Sequence, residues 1–211
     1  MTEPKTEAAH GHAGGARARP DGLTPSQTVG PFFLDGLLRP DTRRNVLVVP
    51  ETSGVRIRIE GRVLDGDGAP VPDALIEVWQ ADADGHYCQP DDASVIPGNV
   101  PVFIGFGRAG TDNAGTFWFE TIKPGAVPYD GDSTQAPHIG VIVGARGLLN
   151  HLVTRLYFAD EPANERDPVL ARVPAERRGT LLGRPGAAEG QAVYRWDIIL
   201  QGVGETVFFN V

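Results

Sequence analysis

Between Val55 and Glu60 the chain alternates: Val55, Ile57 and Ile59 are apolar, while Arg56, Arg58 and Glu60 are charged. A period of two puts each set on its own face of a strand, so the segment predicts a half-buried β-strand rather than a helix. Asp65-Gly66-Asp67-Gly68 follows, and this is turn chemistry, since Gly tolerates positive φ and Asp bonds its own backbone. The run Ala74–Ala81, with Leu75, Ile76, Val78 and Trp79, reads as a strand buried on both faces. A second turn, Asp112-Asn113-Ala114-Gly115, introduces the aromatic strand Phe117-Trp118-Phe119. Further strands are expected at Ile139–Gly144, Leu152–Phe158, Val193–Leu200 and Thr206–Val211. Only Pro168–Leu182 reads as helix, kept short by Pro174 and Gly179.

About eight strands with Gly- and Pro-rich turns and almost no helix predict an all-β fold. The expected architecture is a mixed β-sandwich with long loops, one short helical segment and an extended N-terminal arm. With 211 residues and no internal boundary, the chain reads as one domain over residues 23–211, preceded by a disordered polar tail over residues 1–22. His10 and His12 lie in that tail without further ligands nearby and read as solvated. Trp79, Trp118 and Trp196 sit on expected strands and read as core.

Function classes narrow by exclusion. A formal charge of -8 argues against a general nucleic-acid binder. No stretch approaches the roughly 20 apolar residues that span a bilayer, and the first residues lack the apolar run of a secretory signal. The single cysteine, Cys88, cannot form an internal disulfide, which fits a cytoplasmic protein, and a lone thiol in a loop reads as incidental. Paired metal-ligand spacings, a nucleophile elbow and a phosphate loop are all missing from the sequence. On residue types alone this is a β-sandwich of unknown task.

Two segments add to that reading. Glu77-Val78-Trp79-Gln80-Ala81-Asp82 with Asp84-Gly85-His86-Tyr87 resembles the E-x-W-Q-A-x-x-x-G-x-Y signature of intradiol ring-cleaving dioxygenases. Thr121-Ile122-Lys123-Pro124-Gly125 and Ala136-Pro137-His138-Ile139 resemble that family's T-I-K-P-G and P-A-H-I-H segments, in the same order. Within the family, Thr24-Pro25-Ser26-Gln27-Thr28-Val29-Gly30-Pro31-Phe32 is similar to the opening of protocatechuate 3,4-dioxygenase subunits, and Gly202–Phe209 to an α-type ending.

The resemblance implies an iron site of two tyrosines and two histidines. Phenolate suits ferric iron, a hard, highly charged acid that in turn lowers the phenol pKa. Carried onto this chain, the set is incomplete. Tyr87 and His138 stand at ligand positions, but Val127 stands where the second tyrosine belongs and Gly140 at the second histidine. Gln135 replaces the expected arginine. The resemblance therefore implies a non-catalytic α-type chain, with Fe(III) in a partner β subunit and not in this chain. A higher hetero-oligomer of αβ pairs acting on a small aromatic diol and O2 is expected. In that arrangement Thr28, Gly30 and Pro31 of the arm would line the shared pocket, and Arg146 would attract a substrate carboxylate. Two alternatives remain open. One is a self-sufficient dioxygenase using Tyr129 and His151 as displaced ligands. The other is a non-enzymatic prealbumin-like binding module, which Gly61–Ala74 resembles.

Overall fold

The computed structural model describes residues 27, 28, 30, 35–88, 95, 96, 100–188 and 190–210. The expected tail over residues 1–22, with His10 and His12, and Pro31 of the arm fall outside them. The first strands in chain order are β1 (Arg56–Leu64), β2 (Leu75–Gln80), β3 (Val95–Ile96), β4 (Val100–Pro101) and β5 (Phe106–Gly110). Next come β6 (Thr116–Ile122), β7 (Val127–Pro128), β8 (Thr134–Gln135), β9 (His138–Gly144) and β10 (Leu152–Phe158). The last are β11 (Leu182–Ala188), β12 (Gln191–Arg195) and β13 (Ile198–Ile199). Nine of them form one sheet in the order β13-β1-β12-β11-β10-β9-β2-β5, with β6 also paired to β1. β3–β4 and β7–β8 are separate small hairpins.

The large sheet folds back on itself as a mixed sandwich, and β11 joins its two layers. Its first residues, Leu182 and Gly183, pair parallel with β10, while Arg184–Ala188 pair antiparallel with β12. The core between the layers is aliphatic and aromatic: Ile57, Ile59, Ile76, Phe119, Ile139, Leu156 and Phe158 are each at most 2% exposed. β1 shows why the register is unique. Ile57, Ile59 and Val63 point inward while Arg58, Glu60 and Arg62 do not. A slip of one residue would expose three aliphatic side chains worth roughly 1.5–3 kcal/mol each and bury three charges in their place. Gly61 completes the inward row because a Cβ there would lie 1.9 Å from the Trp196 carbonyl oxygen.

Several expectations need correction. β2 is not buried on both faces: Ile76 and Val78 point inward, but Trp79 is 42% exposed and Glu77 pairs with Arg108 across the outer surface. Of the three tryptophans only Trp196 is core, since Trp118 is half-buried beneath the Arg58 guanidinium. Val193–Leu200 is two strands, interrupted where the Trp196 indole donates to the Thr180 carbonyl at 2.8 Å. Of the expected strand Thr206–Val211, the described residues 206–210 form no ladder and make one bridge, Val153 to Phe209. Threonine hydroxyls take over its backbone bonds: Thr154 Oγ1 donates to the Val207 carbonyl and the Val207 amide donates to Thr180 Oγ1. The single helical segment is instead three 3-10 helices, Pro162–Arg166, Leu170–Arg172 and Ala175–Leu181, with a further helical turn at residues 35–37. β5 and β11 were not expected, because their glycines and Pro185 carry no alternating signal. Among the described residues no helix is long and apolar enough to cross a membrane.

Candidate functional site

The signature residues first build a scaffold. Gln80, 1% exposed, donates from Nε2 to the Ala81 and Ile122 carbonyls and accepts from Thr121 Oγ1 at 2.7 Å. Every polar atom of that amide is thus used in tying β2 to β6, which removes the cost of burying it. The next loop is held by Asp82, whose Oδ1 accepts from the Asp84 and His86 amides at 2.9 Å each. Gly85 has φ +85°, and a Cβ there would lie 1.9 Å from the Ala126 carbonyl oxygen. Only glycine allows both the turn and this approach to the Lys123-Pro124-Gly125 segment. The loop delivers Tyr87 onto Trp79, with ring centroids 6.4 Å apart and planes within 8°.

His138 opens β9 and is 3% exposed. Its Nδ1 lies 2.8 Å from the Ala136 carbonyl oxygen, so in the neutral ring Nδ1 carries the proton and Nε2 is the acceptor. Behind it stands Asp167, fully buried. Its carboxylate accepts from the Ala136 amide at 2.8 Å, Tyr157 Oη at 3.1 Å, and the Val169 and Leu170 amides at 2.9 and 2.6 Å. That one carboxylate fastens the start of β9, the middle of the sheet and the helical connection to each other.

Trp79, Tyr87, Tyr129, His138, Gly140 and Arg155 share one cavity of about 590 Å³. The structure thus brings together Tyr87, His138 and the Gly140 position. Val127 is elsewhere: it is buried in the β7–β8 hairpin opposite Gln135, and Tyr129, two residues on, reaches the cavity instead. Arg155 was not anticipated. It lies directly across the β9–β10 ladder from Gly140, and its Nη1 donates to Gln135 Oε1 at 2.6 Å. The positive charge missing at position 135 therefore enters from a different strand. Its signal in the sequence was only an arginine inside an apolar strand, which ladder register alone could place.

The electrostatics follow from burial and this guanidinium. Burial pushes the Tyr87 phenol up, against a smaller downward pull from Arg155. Burial pushes the His138 imidazole down, and Arg155 adds to that effect, against the Ala136 carbonyl and Asp167. Burial and the neighbouring Asp167 hold the Tyr157 phenol far above its usual range. Phenol and imidazole are accordingly both held neutral, around a permanent cation.

That donor set does not fit a ferric ion. Gly140 has no donor, and Arg155 puts a like charge where a metal would need an imidazole. The backbone is not the obstacle, since a Cβ at Gly140 would sit 3.4 Å from its nearest neighbour, the Trp79 carbonyl oxygen, an ordinary contact. Among the described residues no group of three or more His, Cys, Asp and Glu is arranged to hold a metal ion.

The other expected residues lie at the far end of β9. Thr28 Oγ1 accepts from the Gly147 amide at 2.9 Å, which places the arm beside Arg146. Arg146 is largely exposed and pairs with Asp73 at 3.0 Å. Gly30 is half-buried. A second concavity of about 620 Å³ opens here, lined by Gln27, Ile142, Leu149 and His151 among others. His151 precedes Leu152, the end of β10 remote from the His138–Tyr157 pair, and so does not join Tyr87 and His138.

Comparison with known proteins agrees with this picture. A family model described as Dioxygenase matches residues 29–202. The chain is 43% identical over 199 residues to the protocatechuate 3,4-dioxygenase alpha chain of Burkholderia cepacia, covering 89% of this chain and 97% of that one. To the beta chain from the same organism it is 38% identical over 173 residues, covering 79% and 73%. Among solved structures, the dioxygenase domain of a carbohydrate-binding fusion from Streptomyces sp. SirexAA-E superposes with a TM-score of 0.58 at 29% identity, covering 85% of this chain and 98% of that one. The signature loop, the sandwich that presents it and these full-length relationships establish that the chain belongs to the intradiol dioxygenase family.

Proposed function

We propose that this chain is the iron-free α-type subunit of a cytoplasmic protocatechuate 3,4-dioxygenase. Its β-type partner holds Fe(III), and the assembled enzyme adds both atoms of O2 to protocatechuate, opening the ring between the hydroxylated carbons to 3-carboxy-cis,cis-muconate. The observation that carries this reading is Gly140 facing Arg155: a cation stands across the ladder from the position of a lost metal ligand. Near-complete coverage of an alpha chain, against 73% of a beta chain, supports the α assignment.

In this reading the working surface is the other end of the sheet. Thr28, Gly30, Pro31 and Arg146 form part of the wall of the partner's pocket, and the concavity beside Leu149 and Ile142 contributes apolar surface to the junction. Arg146 offers a planar fork of donors to the substrate carboxylate, in exchange for its exposed pairing with Asp73. Exposed Ile142 and Leu149 at this end are what a subunit interface would cover. An assembly of αβ pairs follows the general preference for closed oligomers.

The experiment is to purify the chain alone and coexpressed with a β-type partner, measuring iron and the tyrosinate-to-iron visible band. A colourless chain alone and a coloured complex, with iron in proportion to the partner, is the expected result. Arg146→Gln in the complex should raise KM for protocatechuate with little change in kcat. A coloured chain that cleaves catechols alone would overturn the reading. The presence of Tyr129 in the Tyr87 cavity is the one observation favouring that second outcome, and Tyr129→Phe would then weaken the colour and the activity.

A further inference from the structure

We propose that the Tyr87–His138 cavity is a metal-independent binding site for a small aromatic carboxylate. This goes beyond the subunit reading and does not depend on it, because the site lies wholly within this chain and away from the arm. The first argument is charge. The cavity is lined by two arginines, Arg155 and Arg172, and by no aspartate or glutamate, in a chain whose formal charge is -8. Asp167, the nearby carboxylate, is fully buried and committed to four protein donors. Among the described residues neither arginine forms an ion pair. Among the described residues Arg155 hydrogen-bonds through Nη1 alone, towards Gln135 and Tyr157, and lies 5.9 Å from the Phe209 ring centroid, while the Arg172 side chain makes a ring contact, 6.0 Å from the Tyr129 centroid. A half-buried guanidinium with unused donors and no counter-charge favours an anion.

The second argument is shape and chemistry. Trp79, Tyr87, Tyr129 and Phe209 supply aromatic surface, and Val153, Val169, Val173 and Val207 supply aliphatic surface. Trp79 and Tyr87 are already stacked nearly parallel, offering an aromatic edge to a flat ligand. An inorganic anion would leave that apolar lining unused, and a neutral aromatic would leave the guanidinium groups unmatched. A planar ring bearing a carboxylate satisfies both, since the guanidinium fork matches carboxylate geometry. The volume, about 590 Å³, falls within the range of roughly 300–1,000 Å³ typical of small-ligand sites. No hydroxyl pair on the ring is required, because no metal has to be chelated. That separates this site from one that selects catechols.

The test is calorimetric titration of the full-length chain with benzoate, followed in parallel by tryptophan fluorescence, with benzyl alcohol and inorganic phosphate as comparison probes. The expected result is saturable benzoate binding at one site per chain, with neither comparison probe binding comparably. Arg172→Gln, at an exposed position outside the sheet, should weaken binding about tenfold or more, the loss expected for one charge-assisted hydrogen bond. Arg155→Gln should do so at least as strongly. If the chain purifies only with its partner, benzoate is counted per αβ pair, and Arg172→Gln should remove one of the sites while leaving turnover unchanged. Absence of saturable binding, equal binding of benzyl alcohol or phosphate, or indifference to both arginine substitutions would each overturn the proposal.

Discussion

Replacing Asp167 by Asn tests whether a single buried carboxylate holds the site together. The substitution keeps the shape and changes one acceptor oxygen into a donor. In the native chain all four partners of the carboxylate are donors: the Ala136, Val169 and Leu170 amides and the Tyr157 hydroxyl. Asparagine can keep Oδ1 on Val169, Leu170 and Tyr157, but its NH2 then faces the Ala136 amide, donor against donor. The flipped amide is worse, since three donors would meet the NH2. The better arrangement loses one charge-assisted bond, leaves a buried amide unpaired at about 1–3 kcal/mol, and weakens the remaining bonds from charged to neutral. A destabilisation of about 2–4 kcal/mol follows, which for a domain of this size lowers Tm by about 4–16 °C. Thermal unfolding by circular dichroism, in whichever form the chain purifies, measures it. Asp130→Asn, on an exposed loop where only the backbone and Ser133 are engaged, serves as control. A shift for Asp167→Asn no larger than that of the control would refute the hub argument.

Other substitutions probe separate parts of the structure. Tyr194 Oη donates to Asp160 at 3.0 Å, and burial, reinforced by that carboxylate, pushes its phenol up to about 12. The folded state therefore prefers the neutral phenol. The associated stability is complete below about pH 10, the ordinary tyrosine value, and is lost as the pH rises towards the folded value. Denaturant midpoints should fall over that window in the native chain and fall less in Tyr194→Phe; parallel curves would contradict the assignment. Gly140→His should fold, because the backbone accepts a Cβ there, yet remain colourless with ferric iron while Arg155 stands opposite. Combining it with Arg155→Gln should improve iron uptake, and iron bound equally well by the single variant would show that the guanidinium does not oppose the metal.

The alternating residues of β1 and the apolar runs of β9 and β10 were sufficient for a sequence reading, because a period of two has one solution when one face must be buried. The motif glycines were legible too, since Gly85 answers a local steric demand. Tyr87, His138 and the empty Gly140 position could be named for the same reason: each belongs to a short contiguous motif. What only the tertiary structure decided was everything carried across the ladder. Arg155 lies 15 positions after Gly140 and faces it only through the β9–β10 register; nothing local marks it as part of the site. Asp167 looks like any polar residue before a proline, and its role appears only when four donors from three segments converge on it. The exposure of Trp79 was likewise hidden, because an apolar run does not say whether its second face meets the chain's own core or the outside. Sequence pattern determined which residues turn inward, through local periodicity. The fold determined which of them meet, because long-range contacts depend on strand order and register.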